Sequence, residues 1–222
     1  MSEYLDTIFE SPLSGSKQNG AISVEDYTEK RRWGLRGKEA ARVLREQGWD
    51  LPDRPNRLIN TKDNTLVMAL SQREFWFLDP CNGATLPLSA DDAFKKSAYP
   101  LFCQHSHAWL VIRGDQKALM MAKLCGVDLS PDTFHTGDVA QTQIALINCI
   151  IARHDLGVDD VFSLLFDHSY AEYAHEALLD ARLDFLYRPR NHPPHLGGLG
   201  GRGGHQPKRL TTQQSTPPGN RQ

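Results

Sequence analysis

The sequence predicts an α+β fold made of two pseudo-duplicated β-α-β-β-α units, one over about 22–98 and one over about 99–187. The first observation behind this is an internal repeat. Trp33-Gly34-Leu35-Arg36-Gly37, a helical stretch and Gly48-Trp49-Asp50-Leu51-Pro52 return as Val111-Ile112-Arg113-Gly114, a helical stretch and Gly126-Val127-Asp128-Leu129-Ser130-Pro131. The spacing continues, since Met68-Ala69-Leu70 lies about as far beyond the first Arg-Gly as Ile144-Ala145-Leu146 lies beyond the second. Such a repeat marks one small unit used twice, neither copy large enough to bury its own sheet. The second observation is the alternation of helix-spaced segments with short strand-like runs. The third is that tight turns join neighbouring runs, which makes antiparallel hairpins with helices on one face.

Residues 1–21 mix Ser, Gly, Pro and acids without periodicity and read as a flexible lead-in. The first unit opens on a strand through Arg32 to Leu35. Gly37 turns it into a helix over Lys38 to Gln47, where Ala40, Ala41, Val43 and Leu44 recur at helical spacing and Gly48 is the stop. After the Pro52-Asp53-Arg54-Pro55-Asn56 turn come strands over Thr65 to Leu70 and Glu74 to Leu78, a hairpin closed by Ser71-Gln72-Arg73. A turn at Asp79 to Gly83 and a helix around Asp91 to Ser97 follow.

The second unit repeats the order. A strand from Leu101 to Ile112, bent near His105, leads through Gly114 to a helix over Gln116 to Leu124. Strands over Gln141 to Ala152 and Val161 to Phe166 flank a turn at His154 to Asp159. The last helix spans Ser169 to Ala181, with Ser169 as N-cap and Glu172 at the capping-box position. Residues 188–222 change to Pro-Pro and Gly-Gly pairs with almost nothing apolar to bury, the composition of a disordered basic tail.

Composition narrows the function classes. At 40% hydrophobic and 23% charged residues the chain has the makeup of a soluble globular protein. Its most apolar run, Ile144 to Ile151, is interrupted by Asn148 and is far short of a membrane helix, so no membrane partner is expected. The acids of Met1-Ser2-Glu3-Tyr4-Leu5-Asp6 do not make a secretory leader, and Cys81, Cys103, Cys125 and Cys149 lack the close spacing of a zinc or redox motif. Free thiols and a cytoplasmic location follow as expectations. Six basic residues and no acid follow Asp184, so the net charge of -2 conceals a body near -8, which repels nucleic-acid phosphates.

No motif supplies a catalytic, cofactor-binding or metal site, and none is expected in this chain. His105 and His107 share a strand face at period two, but no third ligand lies near, and alternating polar positions on an exposed strand give the same pattern. His168 follows Asp167 on the opposite face of a strand, which is not a dyad, and His192, His195 and His205 fall in the tail. Arg36-Gly37 and Arg113-Gly114 lack the glycines and Lys-Ser/Thr pair of a phosphate loop. They read as fold constraints, Gly for the strand-to-helix turn and Arg for a neighbouring carboxylate. Gly197 to Gly204 has no flanking strand and helix and is linker composition. Cys103 sits two residues from His105 with no sign of an activated thiolate, and Cys125 lies at the unfavourable end of a helix dipole. Trp33, Trp49, Trp76 and Trp109 read as core or interface anchors.

Several of these segments together carry a family resemblance. Ser106-His107-Ala108-Trp109-Leu110-Val111-Ile112-Arg113-Gly114, Leu124-Cys125-Gly126-Val127-Asp128-Leu129, Phe134 with Gly137, Gln141-Thr142, Asp167-His168-Ser169-Tyr170-Ala171 and Tyr173 resemble the gamma subunit of bacterial heterotetrameric sarcosine oxidase. Gly34-Leu35-Arg36-Gly37, Leu51-Pro52 and Pro55-Asn56 are similar to it too. The resemblance covers roughly Ile22 to Ala181 and implies the folate-binding fold of aminomethyltransferases, the glycine-cleavage T-protein type. It further implies a small noncatalytic subunit with alpha, beta and delta partners. That assembly oxidises sarcosine to glycine with peroxide formation and one-carbon transfer to tetrahydrofolate, its FAD, FMN, NAD and tetrahydrofolate held by the larger subunits. The basic tail departs from the usual family ending, and no folate-clamping carboxylate is evident. A free-standing tetrahydrofolate-dependent aminomethyltransferase or demethylase is the alternative reading.

Overall fold

The computed structural model describes residues 10–13, 17–18, 20–83 and 98–186. The expected helix around Asp91 to Ser97, the lead-in before Glu10 and the basic tail lie outside them.

Two antiparallel sheets form the centre. The five-stranded sheet takes β3 (Arg31–Arg36), β4 (Arg57–Asn60), β5 (Leu66–Ser71), β6 (Glu74–Asp79) and β7 (Tyr99–Leu101) in the order β4-β5-β6-β3-β7. The six-stranded sheet takes β1 (Lys17–Gln18), β2 (Ser23–Asp26), β8 (His107–Arg113), β9 (Val139–Ile144), β10 (Ile147–Leu156) and β11 (Asp159–Asp167) in the order β1-β2-β8-β11-β10-β9. Helices are short except the last: α1 (Ala40–Glu46), α2 (Cys103–Ser106), α3 (Lys117–Met121) and α4 (Ala171–Leu186), with a single 3-10 turn at His168–Tyr170 before α4.

The central strands β3, β5, β6, β8 and β11 are buried on both faces, which is why they read as apolar runs. Leu66, Met68, Leu70, Trp76 and Leu78 of the five-stranded sheet meet Trp109, Val111, Val161 and Leu165 of the other in an inter-sheet core. The alternate residues face helices. Leu35, Val67, Phe75 and Phe77 pack against Ala40, Val43 and Leu44 of α1, and Trp33 and Trp49 edge onto Phe77 with ring centroids 5.4 and 4.9 Å away. On the other side Leu110, Ile112, Phe162, Leu164 and Phe166 pack against Met120, Met121, Ala174 and Leu178 of α3 and α4.

Both Arg-Gly turns behave alike. Gly37 and Gly114 each follow the end of a strand and accept through their carbonyls from the N–H three residues on, Ala40 at 3.2 Å and Lys117 at 3.2 Å. Arg36 lies 3.5 Å from Glu74, and Arg113 pairs with Glu25 at 3.0 Å and Asp159 at 2.9 Å. Gly114 has φ +118°, and a Cβ there would run into the carbonyl oxygen of Ala21. Gly114→Ala is therefore expected to lower stability by at least about 2 kcal/mol, from left-handed strain together with a displaced β2. Urea unfolding measures it; a loss under about 0.5 kcal/mol would show that the segment before β2 yields freely.

Several expectations need correction. Each half contains two more strands than β-α-β-β-α allows, β2 and β4 in the first and, in the second, one more from each of two expected strands that divide. β4 is a short edge strand hidden by its polar residues, and Gln141 to Ala152 is two strands, β9 and β10, turned at Ala145-Leu146 without any glycine or asparagine to announce it. Ile144-Ala145-Leu146 ends β9 and makes that turn, whereas Met68-Ala69-Leu70 lies inside β5, so the repeat does not extend to this pair. The strand from Leu101 to Ile112 breaks at α2, where the chain leaves one sheet for the other. β10 runs on to Leu156, so His154 is a buried strand residue, and the turn contracts to Gly157-Val158 with Gly157 at φ +67°. The cap before α4 is Asp167, whose carboxylate accepts from the N–H and hydroxyl of Ser169 at 2.9 and 2.6 Å; Ser169 itself lies inside the 3-10 turn.

The leading strands cross between halves. β2 precedes β3 in sequence yet pairs with β8, and β7 precedes β8 yet pairs with β3. Each sheet thereby completes itself with a strand from the other half.

Candidate functional site

The site with most polar chemistry lies where β8 begins and β11 ends. The antiparallel register sets His107 opposite Asp167, and Asn148 opposite Gln143 on the neighbouring pair. An open depression of about 680 Å³ is lined by His107, Gln141, Gln143, Asn148 and Leu165, among others. A second of about 410 Å³ shares His107, Gln143 and Asn148 and adds Leu146, Asp167 and Tyr170.

Each side chain has a partner that orients it. The His107 Nδ1 lies 2.8 Å from the Ser106 hydroxyl, and the edge of its ring meets Trp76 at 4.7 Å between centroids. Gln141 donates to the side-chain oxygen of Asn56 at 2.8 Å and to the Leu70 carbonyl at 2.7 Å, joining the two sheets. Gln143 donates to Asn148 at 3.2 Å. The Ser169 hydroxyl and N–H hold the Asp167 carboxyl below its ordinary value. Burial lowers His107, with Arg32 adding to the shift and Asp167 and Glu74 opposing it. Carboxamides and one imidazole can hydrogen-bond a polar group; Thr142 and Cys149 line the larger depression too, the thiol buried, donating to the Ile150 carbonyl and pushed up by that burial.

A serine and a histidine do meet, but in the core. Ser163 is fully buried, accepts from the Trp109 indole N–H at 2.9 Å, and lies 2.7 Å from the His154 Nε2; the His154 Nδ1 is 3.1 Å from the Asp155 carbonyl. None of the depressions described above or at Arg113 is lined by Ser163 or His154. The trio satisfies polar atoms between two apolar sheets.

The sequence candidates scatter. His105 lies exposed on α2 while His107 opens β8, so the two do not share a strand face; α2 rotates one away from the other. Cys103, also on α2, is buried against β3, and desolvation lifts its thiol to about 12. The Cys149 thiol is likewise pushed up by burial. His168 sits in the 3-10 turn, off the strand, and Cys125 bridges to Ile144. Among the described residues no group of three or more His, Cys, Asp or Glu side chains is placed to hold a metal ion, and no helix is long and apolar enough to cross a membrane.

Arg32 was invisible as a special residue. It is 3% exposed, stands on the inter-sheet face of β3 and donates to six backbone carbonyls: Tyr27, Thr28, Lys30, Cys103, Gln104 and His107. Its guanidinium carbon lies 5.9 Å from the Trp109 ring centroid. Burial lowers it to about 10, with Asp26 and Cys103 opposing, so it stays charged at neutral pH. One cation thus fixes both the turn after β2 and the crossing between sheets that delivers His107.

Burial also sets a pH dependence. His107, His154 and His175 are all held below the ordinary histidine value, chiefly by desolvation. In the unfolded chain these imidazoles take up protons near pH 6.5, whereas the folded groups stay neutral to lower pH. Stability is therefore full above about pH 6.5 and is lost as pH falls below it, until the folded groups protonate too. The urea midpoint should fall between pH 7.5 and pH 5; a flat midpoint would contradict the burial of these rings.

No protein-family model matches the sequence, and no curated protein matches it. Solved structures give the fold class first, an α+β arrangement of two antiparallel sheets. One chain of the heterotetrameric sarcosine oxidase from Corynebacterium sp. U-96, in complex with pyrrole 2-carboxylate, superposes with a TM-score of 0.67 at 20% identity, over 82% of this chain and 99% of that one. The fold is the one that chain has from end to end. Aminomethyltransferase T of the glycine cleavage system from Bartonella henselae is a looser likeness, with a TM-score of 0.49 and 17% identity over 69% of this chain and 44% of that one.

Proposed function

We propose that this chain is the small, gamma-type subunit of a heterotetrameric sarcosine oxidase, a noncatalytic scaffold beside the subunits that bind FAD, FMN, NAD and tetrahydrofolate. The observation that carries the reading is the end-to-end likeness to one chain of such an enzyme. In this reading alpha, beta and delta subunits are the partners, the complex is cytoplasmic, and sarcosine is oxidised to glycine by the partners' flavins.

The same reading takes the fold as a duplicated T-protein-like unit. In chain order the first half supplies β3, β4, β5 and β6 and the second β8, β9, β10 and β11. The sheet orders β4-β5-β6-β3 and β9-β10-β11-β8 are then one order written twice. The leading strands β2 and β7 exchange places beside β8 and β3, which ties the copies together. Arg32 and Trp109, both four residues before the repeated Arg, meet each other where the copies face.

Co-expression with the large subunits encoded by neighbouring reading frames, followed by size exclusion, tests the proposal. Co-elution is expected, with partners less stable when the chain is omitted. A chain that never co-elutes, beside partners equally stable and active without it, would sink it. Isothermal titration with tetrahydrofolate addresses the free-standing enzyme: micromolar binding by the isolated chain would favour that reading instead.

A further inference from the structure

The tip of the β9–β10 hairpin holds two consecutive non-glycine residues in left-handed backbone, Ala145 at φ 44° and Leu146 at φ 71°. The closing pair is Ile144 with Ile147, so this is a two-residue loop with both central residues at positive φ, a turn that favours Asn-Gly because a β-carbon is disfavoured there. The strain is held from outside: the Ala145 N–H donates to the Leu124 carbonyl at 2.9 Å and the Tyr173 hydroxyl donates to the Ala145 carbonyl at 2.8 Å. What these contacts sustain is an apolar side chain in solvent. Leu146 is 88% exposed, and Tyr170 and Tyr173 are about half exposed beside it. Leu146 and Tyr170 border the same depression as Asp167, and Glu172 and Glu176 are exposed on α4 beside and one turn after Tyr173, which makes the rim acidic.

We infer that Leu146, framed by Tyr170 and Tyr173, is an anchor that enters an apolar pocket rimmed by Lys or Arg on a different polypeptide, a large subunit of the assembly; the inference rests on the subunit reading above. The acidic rim selects a basic surround, and large rigid side chains around a central apolar anchor are the makeup of an interface hot spot. A second copy of this chain fits poorly. Among the described residues, the depression that carries basic groups is lined by Arg113 and Lys117, whose charges already pair with Glu25, Asp159 and Asp160. Local strain kept at an exposed apolar tip is what a recognition element retains and a merely structural turn would lose.

The test separates binding from folding. Ala145→Asn/Leu146→Gly supplies the residues the turn favours and deletes the anchor. The thermal midpoint of the variant chain is expected to hold or rise, while its affinity for the co-expressed large subunits falls at least tenfold. Leu146→Asp should weaken binding similarly, Leu146→Met should retain it, and Glu172→Lys/Glu176→Lys should slow association. Wild-type chain that co-elutes with the large subunits while the Asn-Gly and Asp variants bind as tightly would overturn the anchor and leave the subunit reading standing. Wild-type chain that does not co-elute removes the subunit reading, and the anchor with it. A wild-type homodimer in sedimentation that the Asp variant dissolves would replace the proposed occupant and overturn the inference.

Discussion

Arg32→Met is expected to cost about 3–5 kcal/mol, since a hydrogen bond from a charged donor is worth about 1.5–3 kcal/mol and several are lost together. The six carbonyls that the guanidinium serves come from the turn after β2 and from the α2 crossing. Methionine fills much of the volume but donates nothing. Tyr27, Thr28 and Cys103 keep the Lys30 N–H, the Gln104 side-chain amide and the His107 N–H, but the carbonyls that depend on the guanidinium face an apolar core or draw water into it, at about 1–3 kcal/mol for a buried group left without a partner. A domain of ordinary stability has about 5–15 kcal/mol in hand. Most of it goes. Arg32→Lys should recover only part, since an ammonium cannot match the planar five-donor fork. Urea unfolding of both variants measures this; a methionine variant within about 1 kcal/mol of wild type would show that the carbonyls are satisfied without the cation.

Trp109→Ala should destabilise by a similar amount, about 3–5 kcal/mol for a fully buried large aromatic. Trp109 is 0% exposed, its ring lies 5.4 Å from Tyr27, and its indole N–H is one of the two contacts holding the Ser163 hydroxyl. The alanine variant opens a cavity between the sheets and takes the donor from Ser163. Trp109→Phe keeps most of the volume and isolates the lost hydrogen bond, with an expected cost of about 1–2 kcal/mol. Because Arg32 lies over the same ring, the double variant should cost less than the sum of the singles by about 0.5–3 kcal/mol. Additive losses would show that the cation and the ring act independently.

The parts of the fold legible in the sequence are those where one local rule acts alone. Gly37 and Gly114 announce their turns, α1 shows its apolar spacing, and the β5–β6 hairpin is bounded by polar residues on both sides. The failures have physical causes. The Ala145-Leu146 turn carries no turn residue, because its backbone is held by Leu124 and Tyr173 from distant segments. β2 and β7 are too short to show a period, and their exchange between sheets is a tertiary fact. Of the candidate site, His107 was singled out for a partner, His105, that α2 turns away; its actual neighbours Asp167, Asn148 and Gln143 arrive through strand register. Arg32 reads as an ordinary strand arginine, because its burial is permitted by carbonyls from two stretches of chain, the turn after β2 and the α2 crossing.

Native mass spectrometry of the assembly co-expressed with the large flavin subunits tests the central claim most directly. The account expects a complex whose mass includes this 25.0 kDa chain in equal number with the other subunits, and a loss of assembled complex when the chain is omitted. An assembly of full activity and unchanged stability whose mass never includes the chain would contradict it.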